Sequence, residues 1–187
     1  SANEISSADY QTQLEQSLNS DTGIKLDDGP DIESQNKDLV ASYWVPFLAH
    51  ATMEPMTAVA RFENGSLELW ASTQGPFIAR AKIAKKLGID PQAITIHRPF
   101  AGGGFGRRFF SDFCIQAAVI AHSVPGRPIK LIWSREQDMA HDYYRPAVAA
   151  RLRGSLNETG KLTGLAAQLS GASIRESMAP GSLKGKV

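Results

Sequence analysis

The dipeptide Asn64-Gly65 and the residues beside it constrain the fold more strongly than any other part of the sequence. In the segment MTAVARFENGSLELWAST, apolar and polar residues alternate on both sides of this dipeptide. A period of two is typical of half-buried strands, and Asn-Gly suits a two-residue turn of type I′. The segment is therefore predicted to form a β-hairpin.

Helix and strand patterns alternate after this hairpin. Helices are predicted in SDFCIQAAVIAHSV and in GPFIARAKIAKKLGI, where Pro76 suits the first turn and Gly88 suits the C-cap. The apolar face of the latter helix is predicted to contain Phe77, Ile78, Ala81, Ala84 and Leu87. Strands are predicted in AITIHRPF and RPIKLIWS, and a second hairpin pairs AVAARLRGSL with KLTGLAAQLS. Because βαβ units favour parallel pairing and hairpins are antiparallel, the order hairpin–α–β–α–β–hairpin predicts an α+β fold. We expect a mixed β-sheet with two helices on one side.

Composition predicts the domain limits. Residues 1–38 are polar, which predicts a poorly ordered linker with one short helix at residues 10–18. Residues 39–173 are predicted to form the domain, and residues 174–187 a tail without pattern. Since the chain begins with Ser-Ala-Asn rather than Met, we expect it to be a fragment that lacks any signal region.

Charge and cysteine content exclude several classes of function. The formal net charge of +1 gives no broad field for nucleic acid or membranes, and no apolar run approaches the ~18 residues of a membrane span. The single cysteine, Cys114, excludes an internal disulfide and an iron–sulfur cluster held by this chain. Its apolar helical surroundings favour a small buried side chain over a thiolate nucleophile.

The segment FAGGGFGRRFF, residues 100–110, concentrates glycines that folding alone does not favour. It does not match the dinucleotide fingerprint, which needs a glycine where Arg107 stands, and it lacks the Gly-Lys-Ser/Thr ending of a P-loop. Two interpretations stay open: a tight strand-to-helix turn, or a backbone that closely approaches a ligand.

Two predicted helix starts are suited to the same ligand. Gln74 precedes the first helix, and the glycine-rich segment precedes the second. Unpaired N–H groups at helix N-termini attract anions, and adjacent βα units would open on the same edge of the sheet. Arg107 and Arg108 either pair with phosphate groups or form a solvated pair beside the helix.

Three separated motifs, FLAHATMEPMTAVARFENGSLELWASTQGP, GGGFGRRFFSDF and WSREQDMAHDYYRP, resemble the molybdenum-cofactor-binding subunit of the xanthine dehydrogenase/aldehyde oxidase family, most closely its isoquinoline 1-oxidoreductase beta-subunit branch. The likeness runs from about residue 43 to residue 152, with weaker agreement to residue 173. The resemblance implies a molybdenum cofactor-binding type of domain. The metal would be held by a pterin dithiolene, as molybdopterin cytosine dinucleotide, without any protein ligand.

The same resemblance implies roles for individual residues. Gln74 matches a glutamine that hydrogen-bonds an oxo ligand of the molybdenum, and the glycine-rich segment matches backbone that lies against the metal ligands and the pterin. No catalytic residue is assigned, because the family's base is a glutamate near the C-terminus of a much longer subunit. The expected cofactor-binding residues are Gln74, Gly103, Gly104, Phe105, Gly106 and Arg107.

The sequence departs from the family pattern after the glycines. Xanthine enzymes continue with Gly-Lys-Glu, whose glutamate contacts the purine, whereas this chain has Arg107, Arg108 and Phe109, so xanthine is not the expected substrate. His50 and Glu54 have the i, i+4 spacing of helical metal ligands, but the following proline and strand-like flanks argue against a metal site. Glu54 belongs to a family motif without an assigned role.

The resemblance implies a bacterial molybdenum hydroxylase, cytoplasmic or periplasmic, that oxidises an N-heterocycle or an aldehyde with oxygen from water. The implied partners are a separate 2Fe-2S subunit, the remainder of its own subunit and a small-molecule substrate, and the isolated fragment is expected to be inactive. The alternative is a non-catalytic scaffold or partner-binding domain without bound cofactor. Nucleic-acid binding is not expected, because Arg107 and Arg108 lack a surrounding basic patch.

Overall fold

The computed structural model describes residues 6–20, 23–24 and 38–178, which separate into two compact units. The central unit is Ala49–Tyr144, and the flanking unit contains the described residues before and after it. Within these ranges, no helix is both long enough and apolar enough to cross a membrane. Much of the predicted linker and residues 179–187 of the predicted tail lie outside the described residues, and the predicted limits of a single domain stay a prediction.

Both units contain helices and strands, which confirms the predicted α+β class. The helices and strands are, in chain order, α1 (Ser7–Ser17), β1 (Asp38–Val45), β2 (Thr57–Glu63), β3 (Ser66–Ala71), α2 (Pro76–Leu87), β4 (Ile94–His97), α3 (Asp112–Ser123), β5 (Ile129–Ile132), α4 (Arg135–Ala140), β6 (Val148–Leu156), β7 (Leu162–Gly171) and α5 (Ile174–Met178). Short 3₁₀ turns at Pro91–Ala93 and Arg107–Phe109 precede β4 and α3.

The central unit is built on a mixed sheet with strand order β4-β3-β2-β5. Strand β2 is antiparallel to both β3 and β5, and β3 is parallel to β4. The predicted hairpin turn is confirmed, since Asn64 and Gly65 have φ of 49° and 78°, as a type I′ turn requires. Because β3 and β4 run in the same direction, the segments that follow them leave the sheet at the same edge.

The core lies between one face of this sheet and the helices α2 and α3. Alternate residues of β2 and β3 are buried, as a period of two requires. The small side chains on both helices allow a close approach to the sheet. The buried helix residues are Ala79, Ile83 and Ala84 of α2, and Phe113, Cys114, Ala117, Ala118 and Ala121 of α3.

The limits predicted for α2 hold, but the predicted apolar face holds only in part, since Ala84 and Leu87 face the core and its other members do not. Gly88 has a left-handed φ of 68°, and its N–H donates to the carbonyl of Ala84 over 2.9 Å, as expected of a C-cap. Phe77, however, is 80% exposed, and Ile78 is also exposed. Because α2 packs against α3, the face of α2 that contains the small Ala79 is buried instead. The spacing of apolar residues alone does not predict this.

The flanking unit is a three-stranded antiparallel sheet with the order β1-β6-β7. Strands β6 and β7 form the second predicted hairpin, which is confirmed. Helix α1, close to the short helix predicted for residues 10–18, packs against β6 and β7. Just after the end of α1, Asn19 Oδ1 accepts a hydrogen bond from Nη1 of Arg151 in β6 over 2.9 Å.

Burial of Cys114 predicts a thiol that does not react while the protein is folded. The side chain is fully buried, and burial, reinforced by the nearby Asp112 carboxylate, raises the pKa of the thiol to about 12. Because the thiolate is the reactive form, an alkylating reagent at pH 8 should label Cys114 only after denaturation. Mass spectrometry measures the labelled fraction. The same protein in denaturant is the control, and complete labelling of native protein within minutes would contradict the assignment.

Candidate functional site

Two segments meet at the sheet edge where β3 and β4 end. The main-chain N–H of Gln74, before α2, donates to the carbonyl of Arg108, before α3, over 3.0 Å. The hydroxyl of Ser72 donates to the carbonyl of Phe100 over 3.0 Å. The two helix starts singled out in the sequence therefore lie in direct contact.

The side chain of Gln74 lies against the glycine loop, which we define as residues 102–106. Its Oε1 accepts a hydrogen bond from the N–H of Gly106 over 3.2 Å. Since a main-chain N–H needs an oxygen acceptor, this bond fixes the orientation of the amide. The Nε2 group of Gln74 then stays a donor with no partner among the described residues.

The chain itself packs closely against two glycines of the loop, and at one of them it requires glycine. A Cβ at Gly102 would lie 2.5 Å from the Cβ of Glu54, and a Cβ at Gly104 would lie 2.8 Å from Oε1 of Gln74. The Cβ and main-chain N of Glu54 leave no room for a side chain at position 102, whereas a Cβ at position 104 would meet only the end of the Gln74 side chain, which can move aside. The glycines alone therefore do not identify a ligand.

The loop backbone takes up left-handed conformations at three positions. The φ angles are 97° at Gly103, 54° at Phe105 and 103° at Gly106. The N–H groups of Gly103, Gly104 and Phe105 donate to no group among residues that the structure describes. Successive free N–H groups in such a conformation form a concave donor set that binds anionic or strongly polar atoms.

Arg107 is buried, which corrects the interpretation of a solvated arginine pair. Its Nη1 and Nη2 donate to the two carboxylate oxygens of Asp112 over 3.0 and 2.8 Å. Its Nε lies 3.1 Å from Oδ1 of Asp142, as an ion pair without hydrogen-bond alignment. A buried guanidinium needs such partners, and here two carboxylates supply them. These contacts occupy the side chain, and the direct cofactor contact expected for Arg107 stays a prediction.

Asp142 also anchors His50 beside the loop. Its carboxylate accepts hydrogen bonds from the main-chain N–H of His50 over 2.5 Å and from Nδ1 over 3.0 Å. Because the carboxylate can only accept hydrogen bonds, Nδ1 carries the proton of the imidazole ring. The other ring nitrogen, Nε2, lies 3.8 Å from the position that a Cβ would take at Gly106. The ring of Tyr143 lies 5.2 Å from the guanidinium carbon of Arg107.

Arg108 is fully buried and joins the loop to the segment before β2. Its Nε donates to the carbonyl of Gly103 over 2.6 Å, and its Nη2 donates to the main-chain carbonyl and Oε2 of Glu54 over 2.8 and 3.0 Å. Burial lowers the pKa of Arg108, and the Glu54 carboxylate opposes that shift. The pair of buried arginines thus faces separate carboxylates.

His50 and Glu54 do not form a metal site together. His50 binds Asp142, whereas Glu54 binds Arg108, so the i, i+4 spacing does not bring them to a common ligand. Among the described residues, no group of three or more His, Cys, Asp or Glu side chains is arranged to hold a metal ion.

The carboxylate partners of the two arginines are hard to identify from the sequence alone. Asp112 is five residues from Arg107, and two adjacent arginines before an apolar helix could have prompted a search for carboxylates nearby. Glu54 stands out in the sequence only as part of a family motif, and no sequence feature distinguishes Asp142. Both lie more than 30 residues away in sequence, so no local pattern connects them to the loop.

Removal of the Arg107 guanidinium should destabilise the fold. Arg107→Met leaves the buried Asp142 carboxylate without its cation, and breaking such a pair costs about 3–5 kcal/mol in free energy of unfolding. Arg61→Met, in the exposed pair of Arg61 with Glu63, is the matched control and should cost less than ~1 kcal/mol. Denaturant unfolding measures both, and equal losses would contradict a structural role for Arg107.

Comparisons with known proteins identify the family of the chain. Residues 27–176 match a family model described as a molybdopterin cofactor-binding domain. The chain is 40% identical over 109 residues to the isoquinoline 1-oxidoreductase subunit beta of Brevundimonas diminuta, covering 58% of this chain and 14% of that protein. It is 29% identical over 165 residues to a membrane-bound aldehyde dehydrogenase [pyrroloquinoline-quinone] of Gluconacetobacter polyoxogenes, covering 86% of this chain and 21% of that protein.

A solved structure shows the same fold. The aldehyde oxidoreductase of Desulfovibrio gigas superposes with a TM-score of 0.63 at 22% identity, over 76% of this chain and 16% of that protein. The chain thus spans about a fifth or less of the length of each of these three relatives. From the family match and the sequence resemblance together, the chain belongs to the molybdopterin cofactor-binding domains of the xanthine dehydrogenase family.

Proposed function

We propose that this chain is the molybdopterin-binding part of a molybdenum hydroxylase subunit that oxidises an N-heterocycle or an aldehyde with oxygen from water. The observation that carries the proposal is the convergence of the Gln74 amide and the glycine loop at one sheet edge, bonded to each other over 3.2 Å. The bound group would be a molybdenum–pterin cofactor in its molybdopterin cytosine dinucleotide form. It would supply the metal centre and the oxidation–reduction chemistry.

The residues of the site fit such a group. The N–H donors of Gly103, Gly104 and Phe105 and the Nε2 of Gln74 have no partner within residues 6–20, 23–24 and 38–178. They offer a small polar surface to an electron-rich ligand. Gly103 and Gly106 present only backbone there, so a flat group can approach the main chain. No side-chain metal ligand is needed, because a pterin dithiolene would hold the metal.

In this proposal the residues of the chain bind and orient the cofactor, and Arg107 holds the glycine loop in position without contacting the cofactor. Gln74 would donate a hydrogen bond to the cofactor, and the loop amides would hold its polar edge. The paired carboxylates of Asp112 and Asp142 keep the Arg107 side chain in the interior, so we assign its cofactor contribution to the position of the loop. The base that the family uses is expected outside this chain.

The substrate class rests on two observations. Two of the relatives are named for oxidation of isoquinoline and of aldehydes. The loop continues into Arg107 and Arg108, which are both buried. Xanthine enzymes have Gly-Lys-Glu after the corresponding loop, so this chain lacks the glutamate that would contact a purine. With one cysteine, the chain holds no 2Fe-2S cluster of its own, so electrons would leave through a separate iron–sulfur subunit.

The test uses the full-length subunit made with its partners in a host that synthesises the cofactor. Elemental analysis should find molybdenum, and acid release should yield a fluorescent pterin in matching amount. Gln74→Ala should retain both, because Arg108 still holds the carbonyl of Gly103 after the bond from Gln74 to Gly106 is lost. It should lower kcat on the best heterocycle or aldehyde by about 10²-fold through loss of one preorganised donor. Gln92→Ala, an exposed glutamine in the 3₁₀ turn before β4, is the matched control and should match wild type.

Each measurement has an outcome that overturns its part of the proposal. If the wild-type protein carries no molybdenum, or carries pyrroloquinoline quinone instead of a pterin, the proposed function is wrong. Wild-type turnover in Gln74→Ala with normal cofactor content would show that this amide does not serve the cofactor.

A further inference from the structure

We infer that Glu54 and Arg108 are positioning residues that hold the glycine loop and Gln74 in the arrangement that receives the cofactor. The inference rests on the proposed function for its cofactor, but the hold on the loop stands on contacts within this chain. The resemblance assigned no role to Glu54 and none to Arg108. The following contacts carry the inference.

Glu54 is bonded to the loop at both its main chain and its side chain. Its N–H donates to the carbonyl of Gly102 over 3.1 Å, and its Oε2 accepts from the N–H of Gly102 over 2.8 Å. A Cβ at Gly102 would lie 2.5 Å from the Cβ of Glu54, so only glycine allows this approach. The start of the loop is therefore fixed by one carboxylate and one main-chain N–H from Glu54.

Arg108 connects three segments from its buried position. Its guanidinium binds the carbonyl of Gly103 and both the carbonyl and the carboxylate of Glu54. Its own carbonyl accepts from the N–H of Gln74 over 3.0 Å and from the hydroxyl of Thr73 over 3.1 Å. A displacement of Arg108 would therefore move the loop and the Gln74 segment relative to each other.

The charge of Glu54 matters because Arg108 is buried. A cation removed from water needs a charged, hydrogen-bonded partner, and Glu54 provides the carboxylate within bonding distance. Both bonds of Oε2 are made to the chain itself, to Gly102 and to Arg108. This carboxylate oxygen is therefore occupied in holding the loop and is not free to bind a ligand.

The conformation that this pair holds is the one that exposes the donors. Phe105, a residue with a Cβ, has a φ of 54°, a left-handed value that the surrounding structure must impose. Between Gly103 and Phe105 the main-chain N–H groups have no partner among the described residues, while both ends of the loop are bonded to Glu54, Arg108 and Gln74. A preorganised binding loop requires both of its ends to be held by the protein while the N–H groups at its centre stay available to a ligand.

The experiment measures loop protection and cofactor retention in the full-length subunit. Variants Glu54→Ala and Glu54→Gln are compared with Glu63→Ala, which removes a carboxylate from the exposed Arg61–Glu63 pair. Hydrogen exchange reports the amides of residues 102–108, and molybdenum and pterin are measured during prolonged dialysis. Melting temperature is recorded for each variant, so that a general loss of stability is recognised.

Glu54→Ala should raise the exchange rate of the Gly102 and Gly106 amides and the rate of cofactor loss by about tenfold, which corresponds to about 1.4 kcal/mol. Glu54→Gln should lie between Glu54→Ala and wild type, because its amide oxygen still accepts from Gly102 but lacks the charge that faces Arg108. Glu63→Ala should match wild type. This graded recovery by the conservative variant is not expected if Glu54 only adds bulk.

Two outcomes would overturn the inference: loop exchange in Glu54→Ala equal to that of Glu63→Ala, or faster loop exchange with unchanged cofactor retention. If Glu54→Ala fails to fold, Glu54→Gln alone carries the comparison, because it preserves the size of the side chain. If the wild-type subunit holds no molybdenum, the proposed function fails, and the exchange rates alone decide whether Glu54 and Arg108 hold the loop.

Discussion

The central constraint on this site is that two adjacent arginines, Arg107 and Arg108, are removed from water. A buried guanidinium must be met by carboxylates and carbonyls, and these come from segments distant in sequence. Arg107 is met by Asp112 and Asp142, and Arg108 by Glu54 and the loop carbonyl of Gly103. The shape of the glycine loop therefore depends on the positions of the carboxylates and carbonyls that bind the two guanidinium groups.

Close packing within the protein and close approach of a ligand both favour glycine in the loop. Gly102 has no room for a Cβ because Glu54 lies against it, and a Cβ at Gly104 would displace the Gln74 amide. The same loop has consecutive N–H groups without a partner in the part of the chain that the structure describes, and a glutamine amide lies beside them. The glycines therefore have a cause within the fold, and the ligand is inferred instead from the donors that the loop leaves without partners.

Local features of the fold were predictable from the sequence, and long-range ones were not. The turn at Asn64, the C-cap at Gly88 and both hairpins depend on a few neighbouring residues, so their patterns are visible in the chain itself. The buried face of α2 depends on packing against α3, and for this reason Phe77 was misplaced. The contact of Gln74 with the glycine loop followed from parallel strands, whereas the pairing of Arg108 with Glu54 needed coordinates.

The most direct test of the account is a structure of the loaded full-length subunit. The account predicts that the cofactor contacts the main chain of residues 103–106, that Nε2 of Gln74 lies within hydrogen-bond distance of it, and that Arg108 remains bonded to Glu54. A cofactor bound elsewhere, with the glycine loop covered by protein side chains, would contradict the account.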